Sequence, residues 1–161
     1  MSVSGRRLPP AARAIATAVT GAVAAAHSVD ADGFAQSTAD LAGLDREQVG
    51  LVLGAVVRSL LEDLHPDGLD SDDVRTLLER CTRSAVGWFP GLDPGVLLGL
   101  LAGALGISEP DGEARPLSAP EVSSHAPILV ADLLGVARRP LAGYLDAAFA
   151  DITRAETMEQ P

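Results

Sequence analysis

Leu44-Asp45-Arg46-Glu47-Gln48-Val49, Leu69-Asp70-Ser71-Asp72-Asp73-Val74 and Leu92-Asp93-Pro94-Gly95-Val96-Leu97 carry one local signal three times. Each sets a leucine before an aspartate and an apolar residue four positions after it. An aspartate so placed accepts the orphan N–H groups of a helix's first turn and suits the positive end of the helix dipole. The leucine folds over the cap onto the residue four later, which fixes the angle at which the chain enters the helix. Gln48 offers the reciprocal half of a capping box. Pro94 takes the first helical position, where its missing N–H costs nothing. Three helices therefore start at Asp45, Asp70 and Asp93.

Working outward, Pro10 opens an alanine-rich helix over 10–26, a loop covers 27–33, and a short helix over 34–42 stops at Gly43. The Asp45 helix runs to about residue 64 and is broken by His65-Pro66-Asp67-Gly68. The Asp70 helix runs to Phe89 before Pro90-Gly91, and the Asp93 helix to Leu105 before Gly106. A polar loop over 108–117 leads to Ser118, whose capping partner is Glu121. Pro127 is expected to interrupt or restart that helix, which ends at Gly135; Pro140 opens the last one, to about residue 155. No period-two pattern argues for a strand. The expected fold is all-α: one domain over 1–161, an irregular or orthogonal bundle of six to seven helices, with 1–9 and 156–161 as frayed tails.

The faces of these helices assign their places. Val74, Leu77, Leu78, Cys81, Ala85 and Trp88 share one side of the Asp70 helix. Leu141, Tyr144, Leu145, Ala148, Phe149 and Ile152 share one side of the last helix. Residues 49–57 and 96–105 are apolar nearly all round, which puts the Asp45 and Asp93 helices at the centre of the bundle or at a subunit interface.

A chain of 161 residues can bury about 70% of its unfolded surface, so the 47% apolar content is enough for a core without staples. Only Phe34, Trp88, Phe89, Tyr144 and Phe149 are aromatic, so leucine, valine and alanine must build that core. A net charge of −10 argues against nucleic acid and anionic lipid as partners. No stretch reaches the ~20 apolar residues that span a bilayer. The single Cys81 excludes an internal disulfide and fits a reducing compartment, so the expected location is cytoplasmic. A secretory signal over 1–26 is the competing assignment, with Arg6, Arg7 and Arg13 before an apolar run that ends in Ala24-Ala25-Ala26. That run contains neither leucine nor phenylalanine.

Chemistry-bearing motifs are few. Asp63-x-His65-x-Asp67-Gly68 and Asp30-x-Asp32-Gly33 imitate the start of a calcium loop, but Val74 and Ala39 stand where its bidentate glutamate belongs. His27, His65 and His125 lack partners at ligand spacing, so no metal or other cofactor is expected. Cys81 lies between Arg80 and Arg83 yet on an apolar face, as a core thiol would. No nucleophile elbow, phosphate loop or dinucleotide fingerprint occurs, so the balance is against an enzyme.

Gly95, Gly99 and Gly103 recur every four residues, and Gly50 and Gly54 repeat the spacing in the other apolar helix. Each costs about 0.5–1 kcal/mol relative to alanine, so the stripe implies close approach of another backbone, within the chain or across a homodimer seam. The expected function is a non-catalytic interaction protein that self-associates or docks a protein partner through apolar helix surface. Two alternatives come from other classes. Residues 130–145 have helix-turn-helix spacing, with Arg138 and Arg139 as candidate DNA contacts, although Pro140 falls inside the would-be recognition helix. The surplus of leucine and valine also suits a carrier of a small apolar ligand.

Overall fold

The computed structural model describes residues 8–107 and 116–159. Seven helices follow in order: α1 Pro10–His27, α2 Ala31–Ala42, α3 Arg46–Leu64, α4 Ser71–Ala85, α5 Pro94–Leu105, α6 Ala119–Ala137 and α7 Leu141–Glu159. No strand occurs among the described residues, and the fold is the all-α bundle its caps imply. Asp45 accepts from the Gln48 N–H at 3.0 Å, Asp70 from the Asp73 N–H at 2.8 Å and Asp93 from the Gly95 N–H at 2.8 Å. Gln48 does not return the bond. Complete capping boxes form instead at Asp70–Asp73 and Ser118–Glu121.

Four helix ends depart from expectation, each for a local reason. α2 starts at Ala31, inside the expected loop, because Asp30 caps it through the Gly33 N–H at 3.0 Å. α4 stops at Ala85, not Phe89. Pro90 pushes the residue before it toward extended backbone, and Trp88 and Phe89 fold back onto the Ala85 carbonyl at 3.1 and 2.7 Å. α6 runs past Gly135 to Ala137, where Arg138 turns left-handed at φ 55°. α7 continues to Glu159, so most of the expected frayed tail is helix.

The larger correction concerns the centre. The helix buried on most of its sides is α6, where ten residues between Ser123 and Leu134 are shielded from solvent. It packs on α1, α2, α3, α4 and α5. α5, expected at the centre, buries only Val96, Leu97 and Leu101. Serines and a histidine dilute the apolar pattern of α6, but Ser124 Oγ donates to the Pro120 carbonyl at 2.8 Å within the helix, and the His125 ring bonds the Glu121 carbonyl of its own helix and the Asp93 N–H of the α5 cap. A buried polar group so satisfied costs little. Pro127 lies mid-helix without breaking it, held among Ala126, Ile128, Leu129 and Val130, all buried. The 14–26 run is the body of α1, and Ile15, Val19, Ala22 and Val23 enter the core from it. Among the described residues no helix is long and apolar enough to cross a membrane.

The α1–α2 corner is closed by a left-handed residue. Val29 has φ 56°, the Asp30 N–H reaches back to the Ala25 carbonyl at 2.9 Å and the Val29 N–H to Ala26 at 3.2 Å. This is the helix-ending motif in which glycine normally supplies the left-handed residue. A side chain there costs ~1–2 kcal/mol, and a β-branched one is the least suited. Val29→Gly should stabilise the protein by about 1 kcal/mol after glycine's greater unfolded-state freedom is counted, read as a rise in chemical-denaturation midpoint.

Candidate functional site

α3 packs on both α5 and α7, and its outward side forms the floor of an open trench between them. The trench has a volume of about 760 Å³. Its floor and walls are small: Gly50, Gly54 and Ala55 from α3, Gly103 and Ala104 from α5, and Ala155 from α7. Leu51, Ile152 and Met158 add larger apolar surface, with Leu51 47% exposed and Met158 84%. On its solvent side α5 also exposes Leu98 and Leu105. The rim carries two charges of each sign, already paired within their own helices: Arg58 with Glu62 at 3.9 Å, and Arg154 with Asp151.

Three of the five striped glycines meet here. Among the described residues a Cβ built on Gly50, Gly54 or Gly103 would find nothing within 4 Å, so none of the seven helices packs into the space that they leave. Close packing within the chain is therefore not what keeps them small. Gly99 lies elsewhere, where a Cβ would make ordinary contact with Leu117, and Gly95 lies beside the Asp93 cap.

Residues singled out for other chemistry have structural partners. Cys81 is fully buried, and burial pushes its thiol up to about 12, with Asp132 adding to the rise and Arg80 opposing it. It holds no thiolate at neutral pH. Arg80 makes a forked pair with Asp132, Nε to the two carboxylate oxygens at 3.0 and 2.9 Å and Nη2 at 2.7 Å, and that hydrogen bonding raises its pKa. The pair ties α4 to α6. Among the described residues no three His, Cys, Asp or Glu side chains are grouped to hold a metal ion.

At the basic corner Arg138 and Arg139 are both exposed. Arg139 Nη1 reaches Asp63 Oδ2 at 3.3 Å, and the same oxygen accepts the Tyr144 hydroxyl at 2.7 Å. The first two turns of α7 expose Ala142, Gly143, Asp146 and Ala147, with no basic side chain to reach phosphate or a base edge. For an apolar ligand, the narrower hollow between Leu41, Leu44, Val49 and Val122 holds about 130 Å³, well under the ~300 Å³ of a typical ligand site.

Sequence reasoning missed an aromatic cluster. Phe34 of α2 meets Trp88 edge-on at 5.0 Å and Phe89 at 5.7 Å, and Phe89 meets the buried His125 at 5.6 Å. These residues are too far apart in sequence for any periodic pattern to join them. No family model matches the chain, and no curated protein or solved structure matches it significantly.

The Arg80–Asp132 pair is intermediate in exposure, so its loss should fall between the ~0–1 kcal/mol of a surface pair and the ~3–5 kcal/mol of a fully buried one. Arg80→Ala should cost about 2 kcal/mol in denaturant unfolding, and Arg80→Ala with Asp132→Ala less than the sum of the two single losses.

Proposed function

We propose that the protein is non-catalytic and associates with a second copy of itself through the α3–α5–α7 face. One observation carries this reading: among the described residues nothing lies within 4 Å of where a side chain on Gly50, Gly54 or Gly103 would begin, beside leucines and a methionine left in water. Glycines in exposed helices destabilise them, so their presence in the floor helix α3 and the wall helix α5 fits a backbone arriving from outside.

Charge favours a second copy over another partner. The protein carries −10 overall, yet the trench rim sums to zero, with Arg58 and Arg154 against Glu62 and Asp151. Two copies can meet there without the repulsion that other faces of so acidic a molecule impose. The face also holds both hollows and projections, Gly54 and Gly103 beside Leu51 and Met158. A two-fold interface, which pairs one patch with itself, requires both.

The open glycines make a clean test. Because their Cβ positions are empty, Gly54→Leu with Gly103→Leu should fold at least as stably as the parent chain while filling the trench. Native mass spectrometry and sedimentation at micromolar concentration should show a dimer for the parent and a monomer for the double variant. A monomeric parent, or a double variant that dimerises equally well, overturns the proposal.

A further inference from the structure

We propose that His125 is an acid-sensitive latch for α5, and through α5, resting on the association just described, for the dimer. His125 is 4% exposed, and both of its ring nitrogens are engaged. Nε2 accepts the Asp93 N–H at 3.0 Å. That bond requires Nε2 to be unprotonated, so the ring proton sits on Nδ1, which donates to the Glu121 carbonyl at 3.1 Å and lies 2.9 Å from Ser124 Oγ. Asp93 is the N-cap of α5, so α6 holds the start of the helix whose far end, at Gly103 and Ala104, walls the trench, and it does so there through one titratable atom.

Protonation puts a second N–H where the Asp93 N–H already points, and two donors cannot bond. α5 also packs on α3, α4 and α6, but thinly. It buries three side chains, and its remaining apolar surface lies half-exposed or in solvent. The charged groups facing the ring are the Asp93 carboxylate from α5 and Glu121 from α6, while the α4–α5 corner presents the uncharged ring of Phe89. Both carboxylates favour imidazolium. Burial disfavours it and prevails, holding the pKa below the ordinary 6.5. The neutral ring therefore stabilises the closed corner at pH above that ordinary value. The stabilisation starts to fade as pH drops past it, because the released ring takes a proton first, and it is gone below the lowered native value.

Trp88, the only indole, sits in this corner against Phe34 and reports on it directly. As pH falls below the ordinary imidazole value of 6.5, the full-length protein should show a change in Trp88 emission and a falling dimer fraction, with far-UV helicity retained. His125→Gln supplies an acceptor that does not titrate, and its emission should stay flat. His27→Gln with His65→Gln should keep the parental transition. If His125→Gln fails to fold, that double variant together with the NMR titration of the His125 ring decides. The latch is overturned by a flat parental profile, by His125→Gln following the parent, by loss of the transition in the double variant, or by helicity falling in step with the emission. A parent that is monomeric at neutral pH yet keeps the Trp88 transition overturns self-association and leaves the latch of α5 intact. A dimer without the transition overturns the latch alone.

Discussion

The rest of the bundle depends on the burial of α6. A helix enclosed by five others cannot send its polar side chains to water, so each must find a partner inside. Ser124 does so within its own helix and His125 with its own helix and the cap of α5. Asp132, at the wetter edge, takes the fork of Arg80. These bonds are also the ties by which α4 and α5 are set against the centre. One constraint thus places two of the outer helices.

How much of this was legible in the residues varies with range. The caps at Asp45, Asp70, Asp93 and Ser118 were readable because capping is settled within four residues of chain. Ends such as those of α2 and α4 depend on one hydrogen bond or on a following proline, and were placed a few residues off. The centre was misplaced for a different reason. Hydropathy ranks α5 above α6, but α6 earns its position by satisfying its serines and histidine, which no apolar count records. The trench was half visible. The spacing of Gly50, Gly54 and Gly103 marked a surface for close approach, while the emptiness beside them is a matter of where α5 and α7 sit on α3.

Apolar surface is unevenly distributed as a result. α6 takes the enclosed position with a mixed sequence, and α5 is left with leucines that the core does not use. A helical bundle in water has little reason to keep a leucine-rich helix half outside unless another surface covers it. The neutral rim and the small floor are consistent with that cover being the same surface on another molecule. His125 joins the two halves of this picture, since the buried centre and the exposed helix meet at its ring.

The position of α6 in the chain has a consequence for synthesis. The helix that completes the core occupies residues 119–137, so α1 to α5 leave the ribosome before the element against which they pack. At translation rates of roughly 5–20 residues per second, their apolar faces wait seconds for closure. The nascent chain is then at its stickiest when its first two-thirds are complete. A fold centred on a late helix thus leaves its earlier apolar faces uncovered until residues 119–137 have been made.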